Sequence, residues 1–528
     1  MNGSAAERVP TGLADGAMPT AGERHSGLLM VLAGVLAYVV LHVGFRLIAS
    51  STLGEDDTLE QILVQDLRAG YNPRQPPLYD WVLWLVQQAT GPQLISFLAI
   101  KYAALTATAV FLYLAAFRIF RDRVWAVLTV ESLALIYQIS WRYHEGFTHE
   151  VLAMVAVVAT LWAFLRLMDH GRFGDHVLFG VVSGLGLLTE PNYSVYQMCL
   201  WGAAMLQPAI RTQVVRPALL ISAAIALIIA SPFLVWLIGD ARHWQAFFRS
   251  GPHSHLKDAM IGLKDAVRGP FMYLLPLVVI VPVIFPGFLA TAWSDLRRLA
   301  RLRTATETGT VGDEPDLEQF VLTTMVLAVA LSVVGALMFG IGNYAMHVLM
   351  PLYVTSVVWL IGVARRSPAG PARRRRFATV ALSIAVIALV ARLANMFILD
   401  PVCGKCRWGI PYPALAAEMR ASGFSDMGTI VAVSDELAGN LRQHFPDAKV
   451  MTRRDPDFTP SGASPRRGSV AFIWDAAVPD QRIAQWIGDL MAPGHVPAEA
   501  RLVTIPWRHI WKPVGYRTSD WRLLVVER

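Results

Sequence analysis

Runs of roughly twenty consecutive apolar residues recur along this chain, and nothing else in it constrains the fold as strongly, because an α-helix of that length matches the hydrocarbon thickness of a bilayer. They are read at about 27–49, 94–117, 123–140, 150–168, 176–190, 194–208, 217–239, 271–293, 320–341, 346–364 and 378–399, about eleven spans that would leave the termini on opposite sides. Of the 528 residues 55% are hydrophobic and only 16% charged, which excludes an ordinary soluble globular chain. The first 26 residues lack the charged start, short apolar run and small-residue cleavage site of a secretory signal, so Gly27 to Ala49 is expected to stay as an anchor.

Short cytoplasmic loops are enriched in Lys and Arg, and here the basic residues fall in alternate loops. They are Arg118, Arg121 and Arg123, then Arg211 and Arg216, then Arg297, Arg298, Arg301 and Arg303, then Arg365, Arg366 and Arg373 to Arg376. These loops and the tail 1–26 are expected in the cytoplasm. The segments 50–93, 141–149, 240–270 and 342–345, and everything from Asp400 onward, are expected outside. Topology accounts for the formal net charge of +7, and contact with anionic headgroups accounts for the Arg373–Arg376 run, so no nucleic-acid partner is expected. Arginine outnumbers lysine and alanine is abundant, a usage that fits a GC-rich bacterium and hence a bacterial inner membrane.

After Leu399 the composition becomes that of a soluble domain. Thr429–Val433, Lys449–Met451 and Ser469–Trp474 read as strands and Asp435–His444 as a helix, while Trp507, Trp511, Tyr516 and Trp521 mark closing strands. The expected fold is therefore a mainly α-helical polytopic membrane protein with a small α/β soluble domain at its C-terminal end. Its parts are the tail 1–26, a transmembrane domain 27–399 and an outward domain 400–528. The stretch 304–318 reads as a cytoplasmic linker and Thr459–Pro465 as a loop. Cys403 and Cys406 form a CxxC that suits a small disulfide outside the cytoplasm, with no βαβ pattern around it to suggest redox catalysis. Cys199 lies in an apolar run as a packing residue.

The first outward loop opens with Glu55, Asp56 and Asp57 immediately beyond the first apolar run. Carboxylates there can accept a proton from an attacking hydroxyl or hold a divalent cation. They equally suit the first turn of a helix Thr58–Leu67, where negative charge favours the dipole. Gln75-Pro76-Pro77-Leu78-Tyr79-Asp80-Trp81 comes next; the two prolines stiffen the entry to a short interfacial helix whose aromatics sit at headgroup level. A plain exit loop needs no such construction.

This acidic pair, the Gln75–Trp81 block, Thr148-His149-Glu150-Val151-Leu152 and Gly184-Leu185-Gly186-Leu187-Leu188-Thr189-Glu190 resemble, in order and spacing over residues 27 to 365, the family-39-type glycosyltransferases of the GT-C superfamily. That family includes protein mannosyltransferases and the lipid A aminoarabinose transferase. The resemblance implies inverting transfer of one sugar from a polyprenyl-phosphate-linked donor to an acceptor hydroxyl of lipid A, lipopolysaccharide or another envelope glycan, at the outer face of the bilayer. It makes Asp56 or Asp57 the general base: the register to Glu60-Gln61 favours Asp57, and counting from the helix end favours Asp56. Outward candidates for the donor phosphate are Arg74, Arg142, His144, Lys257, Lys264 and Arg268. Tyr79, His149, Tyr344 and His347 are further candidates for substrate contact.

Two positions depart from the family pattern. Glu190 stands where relatives commonly carry a Lys or Arg, and near Asn343–His347 the polar residues are Tyr344 and His347 rather than a Lys or Arg. No cofactor is called for with certainty, and a divalent metal is compatible with the acids. His253, His255 and Asp258 alone do not make a zinc site, so no metal ligands are assigned. The rival class is a transporter or lipid flippase, which would be expected to show inverted repeats and a path of ionisable groups. Lys101, Glu131 and Arg392 are the clearest ionisable residues in apolar runs and form no such path.

Overall fold

The computed structural model describes residues 21–248, 254–305, 314–342, 344, 346–368, 370–452, 469–479 and 499–526. His253, the Thr459–Pro465 loop and the middle of the 304–318 linker lie outside the described residues. Among the described residues, seven helices are long and apolar enough to cross a membrane. An eighth span results if Leu277–Ile284 and Phe288–Leu299 are taken together, although the pair bends by 113°. The bend falls at Pro286-Gly287, where proline removes a helical donor and Gly287 adopts φ 85°.

Three of the expected spans form shorter elements. The run 123–140 gives the helix Arg123–Glu131, a 3₁₀ turn Ser132–Leu135 and then an extended Ile136, next to which Tyr137 N–H donates to the Leu275 carbonyl at 2.9 Å. The other two give Phe173–Leu187 and Pro191–Leu206. Hydropathy reports an apolar run but not where a helix breaks, so the number of runs exceeds the number of full-length helices.

The elements that frame the acidic loop are α1 (Ala21–Ala49), α2 (Glu55–Leu63), α3 (Leu78–Thr90), α4 (Leu94–Phe120), α5 (His149–His170), α6 (Pro371–Ala394) and α7 (Asp435–Arg442). Helix α5 is apolar all round and runs through the middle of the bundle, where Phe164 stacks on Phe320 at 5.2 Å and meets Trp201 edge-on at 5.4 Å. Helix α1 leaves Leu29, Leu36, Val40 and Ile48 exposed, as a helix facing lipid does. Lipid removes most of the hydrophobic drive between helices, so close packing must hold them. Gly180 and Gly184, one turn apart, provide it: a Cβ on Gly180 would lie 2.7 Å from the Ser222 carbonyl oxygen, and one on Gly184 3.0 Å from Ala226 Cα.

Arginines counted above for topology also tie helices together: Arg118 pairs with Asp169, and Arg366 bridges Asp295 at 2.6 Å and Glu318 at 2.8 Å. Arg166, within α5, reaches Asp175 at 2.6 Å.

Beyond α6, Cys403 and Cys406 are joined as a disulfide. The strands β1 (Thr429–Ala432), β2 (Lys449–Thr452), β3 (Val470–Asp475), β4 (Arg501–His509) and β5 (Lys512–Val526) form one mixed sheet of order β2-β1-β3-β5-β4. β1 runs parallel to β2 and β3, whereas β5 is antiparallel to β3 and β4. Residues alternate between faces, as the pleat requires: Ile430, Ala471, Ile473 and Leu523 join one core, and Val431, Phe472, Trp474 and Leu524 another.

Helix α2 lies between the two parts. Its Ile62 and Leu63 complete the core of the sheet domain with Leu415, Leu441 and Phe445, whereas Leu53 and Val64 on either side belong to the core of the bundle. The acidic loop is therefore gripped by the soluble domain as well as by the membrane helices.

Candidate active site

Helix α2 begins at Glu55, three residues before the expected Thr58, and ends at Leu63. Its N-cap is Gly54, which has no side chain to cap with, so Asp56 and Asp57 occupy the first turn, where the dipole favours negative charge. Successive helical residues point about 100° apart, and these two acids accordingly meet different surroundings.

Asp57 is buried, and both of its oxygens accept hydrogen bonds from Lys101 Nζ on α4, at 2.6 and 2.8 Å. Lys101 is buried too. A buried charge is tolerable only when paired, and here each is the other's partner. Asp56 is exposed to solvent, with Gly146 and Glu150 among its neighbours. Burial, followed by the charges of Glu150 and Asp57, pushes its carboxyl up to about 7, with Lys101 opposing. Gly146 lies close by; a Cβ there would be 3.5 Å from Asp56 Oδ2.

The loop 50–57 rests on arginines. Arg46 donates to the carbonyls of Ser50 and Thr52 and packs on Trp408 at 4.8 Å, and an Arg407 nitrogen lies against Gly54. Arg392 reaches Glu145 Oε1 at 3.2 Å. On the other side, Asn440 Oδ1 accepts from Leu53 N–H at 2.8 Å, Arg442 donates to the Gln61 carbonyl, and Gln443 Nε2 donates to the Ser51 carbonyl at 3.1 Å.

Behind α2, Glu60 from α2, Asp80 from α3 and His149 from α5 converge in a fully buried cluster. His149 Nε2 lies 3.2 Å from Glu60 Oε1 and 3.9 Å from Asp80 Oδ2. Burial, then the charge of Glu60, pushes the Asp80 carboxyl well above its ordinary range. Burial also works to raise Glu60, but His149 and the hydrogen bond with Asp80 outweigh it and hold that carboxyl low. Glu190 is buried and raised well above its ordinary range, by burial first and then by Glu150. The block 75–81 is joined to 184–190 by Leu78 N–H donating to the Leu188 carbonyl at 2.9 Å. All four blocks of the family pattern thus meet around Asp56, Glu60, Glu150 and Glu190.

A family model described as dolichyl-phosphate-mannose-protein mannosyltransferase matches residues 74–236. Two Rhizobium johnstonii proteins are similar along most of their length. The lipopolysaccharide core galacturonosyltransferase RgtB is 26% identical over 493 residues, covering 90% of this chain and 94% of its own. The lipopolysaccharide core galacturonosyltransferase RgtA is 24% identical over 457 residues, covering 84% and 86%. Among solved structures, ArnT from Cupriavidus metallidurans bound to undecaprenyl phosphate superposes with a TM-score of 0.59 at 14% identity, covering 94% of this chain and 97% of that one. Its apo form gives 0.56. At such identity the likeness to ArnT speaks for the fold.

The chain is a membrane glycosyltransferase with a GT-C fold. It is related to the mannosyltransferases by the matched family, and in fold to ArnT.

The transferase distributes its sequence-predicted residues unevenly. Asp56, Asp57, Tyr79, His144 and His149 gather around α2, but in different roles. His144 is a buried packing residue: Nε2 meets the Tyr38 hydroxyl and Nδ1 the Tyr102 hydroxyl, each at 2.7 Å, and the ring stacks on His42 at 4.2 Å. Both nitrogens being engaged, and burial followed by Arg392 driving its pKa well down, it offers a phosphate neither a free donor nor a charge. His149 serves the buried cluster. Tyr79 is buried, with its ring 5.4 Å from that of His149. Arg142 is exposed, two residues from His144 on the loop that carries Gly146.

The remaining candidates hold other positions on the transferase. Arg74 is exposed and donates from Nε to the Ala246 carbonyl at 2.9 Å. Lys257, Lys264 and Arg268 are exposed along the helix His255–Tyr273. Tyr344 spends its hydroxyl on the Ser332 carbonyl at 2.9 Å, and His347 falls in the helix Met346–Tyr353. Sequence reasoning passed over Lys101 as an isolated ionisable residue, together with Glu60, Asp80 and Asn440. Only Lys101 had a usable signal, since an ionisable group in a membrane helix needs a partner.

Proposed function

We propose that this transferase moves one monosaccharide, a galacturonosyl unit, from a polyprenyl-phosphate carrier to a hydroxyl of the lipopolysaccharide core, with inversion, on the periplasmic face of the inner membrane. Asp56 is the general base. The observation that carries the reading is the division of labour between adjacent acids: Asp57 is buried against Lys101, and Asp56 is open to solvent with a carboxyl raised towards 7. A base titrating near the working pH combines a useful ionised fraction with real proton affinity.

In the reaction, the acceptor hydroxyl gives its proton to Asp56 as its oxygen bonds to the anomeric carbon. The anomeric C–O bond to the carrier breaks, and the electron pair leaves on the polyprenyl phosphate. Phosphate is a good leaving group, so the protein's second task is to stabilise its charge, and exposed Arg142 is the residue we assign to it. The names of both Rhizobium relatives support the sugar and the acceptor, and undecaprenyl phosphate in the ArnT structure supports the carrier. The alternating basic loops support a cytoplasmic tail 1–26 and a periplasmic domain 400–528, a reading in which the acid loop and the sheet domain lie together outside.

The test is mass spectrometry of lipopolysaccharide from a strain lacking the chain. The expected result is loss of one hexuronic acid mass from the core, restored by the wild-type gene and not by Asp56→Asn. An unchanged core in the deletion strain would contradict the assignment.

A further inference from the structure

We propose that Glu60, Asp80 and His149 bind one divalent metal ion of the zinc or manganese kind, which ties the acid helix to the bundle. This site goes beyond the transferase reading, and its test does not depend on sugar transfer.

Three elements distant in sequence each bring one side chain to the same point: Glu60 from α2, Asp80 from α3 and His149 from α5. Their potential ligand atoms all lie within 4.8 Å of one another, with separations of 3.2 Å from His149 Nε2 to Glu60 Oε1 and 3.9 Å to Asp80 Oδ2. Bonds of about 2.1 Å put neighbouring ligand atoms about 3.4 Å apart in a tetrahedral site and about 3.0 Å apart in an octahedral one, so the cluster has the dimensions of a coordination sphere. One imidazole nitrogen with two carboxylates suits Zn²⁺ or Mn²⁺ better than Mg²⁺ or Ca²⁺, which prefer oxygen alone.

The hydrogen bonding points the same way. All three side chains are nearly fully buried, yet Glu60 Oε2 and Asp80 Oδ1 receive no hydrogen bond among the described residues. The hydroxyl of Tyr79, whose ring packs against His149, is likewise buried and unpartnered there. Protons alone can satisfy the inner contacts among the three groups. One shared proton serves a single contact and leaves the outer oxygens unused. A divalent ion balances both charges against a neutral imidazole and can take a second oxygen from either acid. Because Glu60 lies one turn after Asp56 on α2, the ion would fix the direction in which Asp56 points.

Full-length protein in detergent is stripped with a chelator, reloaded with Zn²⁺ or Mn²⁺, freed of excess and assayed for metal by mass spectrometry. Wild type is expected to retain about one ion per chain, and Asp80→Asn and His149→Gln about a tenth of that or less. Co²⁺ loaded into wild type is expected to give visible d–d absorption, a readout that needs no variant to fold. Metal retained equally by wild type and variants overturns the proposal, as does a wild-type protein that holds neither ion nor cobalt spectrum; the cluster is then held by a shared proton.

Discussion

Lys101 Nζ stands 2.6 and 2.8 Å from the two oxygens of Asp57, with both side chains buried, and this pairing is what separates Asp57 from its neighbour Asp56. Removing one partner leaves the other charged and alone in a dry site. Lys101→Met is expected to cost about 3–5 kcal/mol of stability. The double variant Lys101→Met with Asp57→Asn should regain much of that loss. Unfolding of the purified variants in detergent checks this, and a double variant no more stable than Lys101→Met would count against the pairing.

The raised carboxyl of Asp56 has a consequence for stability. Its pKa is about 7 in the folded chain against an ordinary value of 3.8, so between these values the folded state holds the proton more tightly than the unfolded one. Stability contributed by this group is present at low pH and is lost as pH rises from about 4 to about 7. Asp56→Asn carries no such penalty, and at pH 8 it is expected to melt above wild type, with the difference shrinking towards pH 4. Melting curves across that range test the sign directly.

Gly439 on α7 touches α2 backbone to backbone. A Cβ there would collide with the Thr58 carbonyl and come within 2.8 Å of Thr58 Cα. Gly439→Val is therefore expected to displace the acid helix and depress transfer while the chain still inserts in the membrane. Asn440→Ala, which orphans the buried Leu53 N–H, should cost about 1–3 kcal/mol in stability and shift activity in the same direction. Comparing membrane-fraction abundance with transfer rate separates a misplaced loop from a missing protein.

Much of the fold was legible because its physics is local. Hydropathy marks α1, α4, α5 and α6, and short apolar runs mark β1 and β3 within a residue or two. The number of spans was less legible, because Phe173–Leu187 and Pro191–Leu206 are apolar but fall short of a span's length. At the site, Asp56 and Asp57 stand out as adjacent acids beside the bilayer. Which of the two stays open to solvent depends on the start of α2 and on Lys101, 44 positions from Asp57, and no local pattern reports that. His144 looked like a phosphate ligand for the same reason. Tyr38 and Tyr102, which occupy its two nitrogens, lie on other helices.

Arg142 gives a separate handle on the donor. It is exposed on the loop that carries Gly146, so replacing it should not disturb the core. Arg142→Ala is expected to raise KM for the polyprenyl-phosphate sugar about tenfold or more, the loss of one charge-assisted contact, with Arg142→Lys partly restoring it. Steady-state kinetics with varied donor would show this, and an unchanged KM would remove Arg142 from the donor site.

Transfer of the acceptor's proton to Asp56 is probed most directly by the rate of sugar transfer by purified protein in nanodiscs across pH, for wild type and Asp56→Asn. Wild type is expected to gain activity as pH rises through about 7, where the Asp56 carboxyl ionises, and Asp56→Asn to lose about 10²–10⁴-fold while still binding the donor. An Asp56→Asn protein that transfers sugar within a few fold of wild type, with the same pH profile, would contradict it.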